Sequence, residues 1–281
     1  MTQASTAAVV LAAGLGTRMR RDDPAAKLGT AQAEAAARGL KGMIPDNRGR
    51  PLLDHILSSL ADGGVTDVCL VIGPKHDPIT DHYALRPPRR VKLSFAVQES
   101  PRGTADALLA AAAWIGDRGV LVLNSDNLYP AAAVAALVNL GEPGLVAFER
   151  QALISASNID AARIAAFGLV TLHNDDTLAA IAEKPAVDQR AVHRGDLPDH
   201  AASVEWISMN LWRFDRRVLA ACRDVAMSPR GELELPLAVA LALRRGVRFR
   251  AVRMAAGVLD LSSRGDILTV ASRLGDREIQ P

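Results

Sequence analysis

A chain of 281 residues with 49% hydrophobic and 23% charged residues, 21 Gly and 15 Pro has an ordinary globular composition, which excludes collagen-like, mucin-like and disordered-tail readings. Its 33 Lys and Arg against 31 Asp and Glu leave a formal charge of only +2, so no global basic field argues for nucleic acid or an anionic membrane as partner. A chain of this length can bury roughly three quarters of its unfolded surface, in one large domain or two closely joined ones.

The two cysteines, Cys69 and Cys222, lie far apart in apolar surroundings, which suits buried thiols better than a disulfide framework or a metal cluster. No basic segment precedes the first apolar run, Ala7 to Ala13, and glycines follow it where a leader would have a cleavage site. No other apolar stretch reaches roughly 18 residues without a charge or a breaker. Together these features predict a cytoplasmic protein without a membrane partner.

In chain order, apolar runs predict strands at Ala7 to Ala12, Val68 to Ile72, Leu93 to Gln98, Gly119 to Leu123 and Gly144 to Phe148. Apolar residues at helical spacing predict helices over Pro51 to Ala61, Thr104 to Trp114 and Ala131 to Leu140 between them, the alternation of an α/β domain with a mainly parallel sheet. The Ala-rich stretch from Arg20 to Leu40 predicts a short surface helix over Thr30 to Arg38. After Arg150 the pattern is less regular, with strands expected at Phe167 to Leu172, Leu178 to Glu183 and Ser203 to Phe214, and a polar loop over Pro185 to His200. A helix from Leu235 to Arg245, a strand from Val247 to Met254 and a helix from Arg264 to Arg273 close the chain. The expected organisation is one compact unit of two halves, 1–150 and 151–281, around a single cleft.

The first predicted strand runs into Leu11-Ala12-Ala13-Gly14-Leu15-Gly16-Thr17-Arg18-Met19. Glycines in a strand-to-helix turn let backbone N–H groups approach a phosphate. By itself the loop is ambiguous between an anion site and a tight turn, because Met19 stands where a dinucleotide fingerprint has its third glycine and no Gly-Lys-Ser/Thr ending follows. Two further segments accompany it, Lys41-Gly42-Met43-Ile44-Pro45 and Gly49-Arg50-Pro51-Leu52-Leu53. With these, the chain resembles the sugar-1-phosphate nucleotidylyltransferases, or NDP-sugar pyrophosphorylases, whose opening pattern is Leu-Ala-Ala-Gly-x-Gly-Thr-Arg-Leu/Met, a lysine, then Gly-Arg-Pro-Leu-Leu before a helix.

The resemblance implies a three-layer α/β/α nucleotide-diphospho-sugar transferase fold, Rossmann-like, with a central mixed, mainly parallel sheet. It implies an EC 2.7.7 type enzyme that joins an NTP to a sugar 1-phosphate, releasing pyrophosphate, with Mg²⁺ as cofactor. Leu11, Ala13, Gly14, Gly16 and Thr17 would wrap the triphosphate, with Arg18 and Lys41 as catalytic cations. Lys41 keeps the family's flanking residues but lies farther from Arg18 than usual, so Arg20 to Leu40 reads as an insertion and Lys27 as the rival lysine. In Gln98-Glu99-Ser100-Pro101-Arg102-Gly103-Thr104-Ala105-Asp106-Ala107, Gln98, Gly103 and Thr104 would meet the nucleobase. Gln98 suits the donor and acceptor edge of uracil or thymine, whereas Arg102 to Ala107 looks most like enzymes that use ATP. Thr104 also reads as an N-cap.

Asp126, at the end of Val120-Leu121-Val122-Leu123-Asn124-Ser125, falls on the family's first magnesium-binding aspartate, and Asp260, in Gly257-Val258-Leu259-Asp260-Leu261, on the second. Gly168, Glu183, Lys184 and Asn210 would bind the sugar phosphate. Asn210 stands where the family usually has glycine, which leaves the sugar undetermined. Two other readings keep parts of this pattern: the same chemistry with a non-sugar phosphate acceptor, and a non-catalytic sensor of nucleotide or NDP-sugar. The oligomeric state is open, a homo-oligomer included. Six histidines are scattered without metal-ligand spacing, and no Ser-His-Asp or Cys-His arrangement is present.

Overall fold

The structure, a computed structural model, describes residues 6–74, 77–182, 204–275 and 277–281. Side chains of β1 (Ala7–Leu11) alternate between two cores, Ala8 and Val10 facing one and Ala7, Val9 and Leu11 the other. A strand covered on both faces must be apolar throughout, which is why its sequence shows no polar alternation.

Parallel pairing joins β1 to β2 (Asp67–Ile72), β2 to β3 (Lys92–Val97), and β1 on its other side to β4 (Val120–Asn124). The next neighbour of β4 comes from far along the chain. It is β9 (Trp206–Phe214), antiparallel, which in turn pairs with β6 (Gly144–Glu149). Beyond β6 lies β10 (Arg250–Met254), parallel to it. β7 (Gly168–Leu172) pairs with β9 and with β8 (Leu178–Ala182), so the sheet holds nine strands among the described residues. This is the expected mixed, mainly parallel sheet. Strands from both halves of the chain share it.

Helices cover both faces. One core packs residues of α3 (Leu52–Asp62), α7 (Ala131–Val138) and α12 (Arg264–Gly275) against the sheet. The other packs those of α5 (Thr104–Ala110), α10 (Arg216–Asp224) and α11 (Leu235–Arg244).

The helices depart from the sequence pattern in several places. The one expected from Thr104 to Trp114 is broken at Ala111, giving α5 and a short α6 (Ala112–Ile115). α4 (Asp77–Leu85), α8 (Arg150–Ala156), α9 (Ala161–Ile164) and α10 stand where the pattern predicts only connections. α10 does have a start signal, since the Asp215 carboxylate accepts from the Arg217 and Val218 N–H groups. The loop expected over Pro185 to His200 lies outside the described residues.

A buried polar cluster ties the segment before α3 to the C-terminal helix. Asp46, 4% exposed, accepts from the Arg48 and Arg50 N–H groups, from Arg50 Nε and from His55 Nε2. Arg50 also donates to the Leu274, Gly275 and Arg277 carbonyls. Because Asp46 accepts at His55 Nε2, the neutral ring carries its proton there and leaves Nδ1 bare, and buried Nδ1 has no partner. Protonating His55 would bury an N–H without an acceptor. Burial accordingly holds the ring below the ordinary histidine value of 6.5, against the opposing pull of Asp46. A depressed histidine favours the fold where the unfolded chain would already take up no proton, so this contribution is complete above 6.5 and is lost as pH falls from there. The thermal midpoint of the wild type should therefore fall more between about pH 7 and pH 5 than that of His55→Gln. Parallel profiles would remove His55 from the account.

Candidate active site

The spatial order β3-β2-β1-β4 reverses direction between β1 and β4, and α/β sheets bind ligands at such a reversal, beyond the carboxyl ends of the strands. Leu11 stands opposite Asn124 there, and the Ser125 N–H donates to the Leu11 carbonyl. Over this point opens a cleft of about 330 Å³. Its lining includes Leu11, Ala13, Gly14, Gly16, Thr17, Lys41, Gln98, Gly103, Thr104 and Asp126.

The glycine loop is shaped by close approach. Gly16 has φ 59°, and a Cβ there would lie 2.3 Å from the carbonyl oxygen of Gly39. Gly39 ends α2 (Thr30–Arg38), the helix expected in the insertion. The N–H groups of Gly14, Leu15, Gly16 and Thr17 donate to no group among the described residues, an arrangement suited to an anion. α1 (Thr17–Arg20) follows with four residues, so individual N–H groups would hold the anion, not a long helix dipole. Arg18 is exposed and does not line the cleft.

Directly after Gly39 the chain carries Lys41 into the cleft, where Nζ lies 2.8 Å from Asp126 Oδ2. Lys27 is exposed and outside the lining. The unusual spacing from Arg18 to Lys41 is thus taken up by α2, whose C-terminal end returns to the glycine loop.

Asp260 reaches the same region through a two-stranded ladder. β11 (Leu259–Asp260) pairs with β5 (Asn127–Leu128), and the Leu261 N–H donates to the Asp126 carbonyl. Asp260 is 3% exposed. One carboxylate oxygen accepts from Asn127 Nδ2 at 2.8 Å and the other pairs with Arg163, which also binds Asp266 at 2.6 Å. Burial first, and the neighbouring Asp126 charge second, push the Asp260 carboxyl above its ordinary value. Donation from Ser262, Arg163 and Asn127 works against this.

For the divalent ion implied by the resemblance, the donor set fits. Two carboxylates stand close enough to repel, and a cation between them would relieve that repulsion. Among the described residues no three His, Cys, Asp or Glu side chains converge on one point. That matches an ion such as Mg²⁺, which takes one or two carboxylates and completes its shell with water and substrate phosphates.

Arg163 carries no motif along the chain, and only its position beside Asp260 gives it a role as standing counter-charge. Arg163→Ala leaves two nearly buried carboxylates without their cation and should cost about 3 kcal/mol of stability in chemical denaturation. Added Mg²⁺ should restore part of that loss, and restore more than it adds to the wild type. Equal effects of Mg²⁺ on both proteins would sink the assignment.

Elsewhere in the lining, Gln98 is 6% exposed and its amide nitrogen is bonded inside the protein. Gly103, with φ 117°, abuts Leu233 so closely that a Cβ would meet the Leu233 carbonyl oxygen at 2.4 Å. Thr104 is not the cap expected: Gly103 occupies that position, and the Thr104 hydroxyl accepts from the Leu235 N–H. Glu232, for which no motif along the chain gives a sign, joins the lining.

The expected sugar residues are less gathered. Gly168 starts β7, and Asn210 lies in β9, neither of them lining the cleft. Glu183 and Lys184 lie outside the described residues. Asn210 has φ 59°, opposite a register shift between Leu145 and Ala147. Glycine adopts that conformation freely and asparagine more readily than most residues, which gives the departure from the usual glycine a backbone cause.

Known proteins resemble this chain along most of its length. A family model described as "Nucleotidyl transferase" matches residues 35–271. A UTP–glucose-1-phosphate uridylyltransferase, AglF, of Haloferax volcanii is 28% identical over 97% of this chain and 98% of its own. A glucose-1-phosphate thymidylyltransferase of Streptomyces antibioticus is 24% identical over 94% of this chain and 64% of its own. The bifunctional protein GlmU of Mycobacterium avium is 25% identical over 97% of this chain, which spans 51% of that relative's length. A crystal structure of UDP-glucose pyrophosphorylase with UDP-glucose superposes with a TM-score of 0.72 at 15% identity, covering 98% of this chain and 100% of that one.

Proposed function

Because the chain belongs to the nucleotidyl transferase family, we propose that it transfers a nucleotidyl group from an NTP to a sugar 1-phosphate, giving an NDP-sugar and pyrophosphate. The observation that carries this reading is the cleft itself. A loop whose N–H groups donate to no group among the described residues faces a lysine and aspartate pair at the sheet's reversal point, the chemistry a triphosphate needs at its anionic end.

A phosphate oxygen of the sugar 1-phosphate attacks the α-phosphorus, its P–O bond forming as the bond to the pyrophosphate oxygen breaks on the opposite side. The attacking phosphate is already anionic near neutral pH, so no side chain has to remove a proton. The protein's task is alignment and charge compensation. The N–H groups of Gly14 to Thr17 would hold phosphate oxygens, and Lys41, released from Asp126, would offset charge on the leaving pyrophosphate. Asp126 and Asp260 would hold Mg²⁺, whose charge when bound stabilises the phosphate oxygens. On the sugar side Glu183 and Lys184 would receive the hydroxyls and the phosphate.

The test is pyrophosphate release across a grid of NTPs and the 1-phosphates of glucose, galactose, mannose and N-acetylglucosamine, with and without Mg²⁺. We expect a magnesium-dependent signal confined to few pairs. Folded protein that is silent across the grid, but active with a non-sugar phosphate, would replace the acceptor in this reading.

A further inference from the structure

We propose that Asn158 is a positioning residue for the divalent ion, holding the backbone of Asp260 so that its carboxylate meets the ion in one fixed place. The inference rests on the nucleotidyl transfer reading of the cleft, and concerns a side chain to which neither motif nor family comparison assigned a role.

β11, which carries Asp260, is two residues long and pairs with the two residues of β5. A ladder that short does not hold a strand by itself. The Leu261 N–H turns toward β5, where it donates to the Asp126 carbonyl, so the N–H and carbonyl of Asp260 point to the opposite edge. Asn158 closes that edge. Its Oδ1 accepts from the Asp260 N–H at 2.8 Å, and its Nδ2 donates to the Asp260 carbonyl at 2.7 Å. The amide has only this orientation, because the reversed one would set NH₂ against N–H and oxygen against oxygen. Ser157 continues the contact along the same edge, its Oγ accepting from the Val258 N–H at 3.0 Å.

Asn158 lies between α8 and α9, and α8 follows directly on β6 of the central sheet. It therefore ties Asp260 to the main body of the fold, as a third strand of the small ladder would. The carboxylate itself is held separately, by Asn127 and Arg163. An ion such as Mg²⁺ demands near-ideal octahedral geometry, so a ligand that shifts costs affinity even with its charge intact. Asn158 carries no charge and does not line the cleft. What it does to the ion it does by placing Asp260.

The experiment is titration of Mn²⁺, a spectroscopic stand-in for Mg²⁺, into the wild type, Asn158→Ala and Ser157→Ala, with free Mn²⁺ followed by electron paramagnetic resonance. Thermal midpoints and the Mg²⁺ dependence of pyrophosphate release are measured alongside. We expect Asn158→Ala to weaken Mn²⁺ binding about 10- to 100-fold, the scale of losing an outer-shell partner. Half-saturating Mg²⁺ should rise with it, while kcat recovers at saturating Mg²⁺. Ser157→Ala breaks a bond to the same strand without touching Asp260, so it should lower the thermal midpoint and leave Mn²⁺ affinity unchanged. If Asn158→Ala does not fold, Asn158→Gln, which sets the amide one methylene further out, takes its place with the same expectation.

A wild type that binds no Mn²⁺ overturns the proposal. So does an Asn158 variant with wild-type Mn²⁺ affinity, or one whose loss Ser157→Ala matches, since the effect would then belong to the strand as a whole. Mn²⁺ binding that depends on Asn158, without turnover of any NTP, would support this inference while overturning the transferase reading.

Discussion

Asp126→Ala should lower turnover by roughly 100-fold or more, the scale of removing one preorganised electrostatic group from a reaction centre. The carboxylate follows β4 at the point where the sheet reverses, lines the cleft, and sits 2.8 Å from Lys41 and near enough to Asp260 to raise its pKa. Its loss removes a ligand for the proposed ion and leaves Lys41 without its resting partner. Lys41→Ala should produce a loss of the same order, from the other side of the pair. Lys27→Ala should change little, because that side chain lies outside the cleft lining. The check is steady-state pyrophosphate release at saturating NTP over a Mg²⁺ titration, with folding verified by circular dichroism. Near-normal turnover in the Asp126 variant, or equal losses in the two lysine variants, would remove the pair from the centre of the chemistry.

Gly16→Ala should cost about 2 kcal/mol of stability or more and disable nucleotide binding together with it. Two penalties combine. The residue has φ 59°, which an alanine reaches only with strain, and the new Cβ would lie within 2.8 Å of three backbone atoms of Gly39. Backbone cannot rotate aside as a side chain can, so the glycine loop and the end of α2 must separate. That separation moves Lys41, two residues beyond Gly39, away from Asp126. Denaturant midpoint and nucleotide affinity measured on the same preparation should fall together. A variant that loses affinity at unchanged stability would mean that the two segments are not mechanically joined.

Much of the site is legible along the chain because its determinants are local. The apolar runs of β1 and β4, the glycines between β1 and α1, and the aspartate just past a strand are all settled within about ten consecutive residues, where φ/ψ preference and side-chain period act. The helix over Thr30 to Arg38 is legible for the same reason. Short elements are not. α8 and α9 run seven and four residues, too few turns for a helical period to stand out from a connection.

Pairings between distant residues leave no such trace. Lys41 meets Asp126 across 85 positions and Arg163 meets Asp260 across 97, and no pattern along the chain specifies either. Sheet order and register decide them, since Leu11 beside Asn124 and Asp260 beside Asn127 set which loops share a mouth. The α/β layering and the glycine turn between β1 and α1 follow from the order of residues alone, because periodicity and backbone preference are properties of short segments. The contact of Lys41 with Asp126, the arginine beside Asp260 and the orientation of the Gln98 amide belong to the folded molecule, because each depends on charges and hydrogen-bond partners brought together from separate strands and helices.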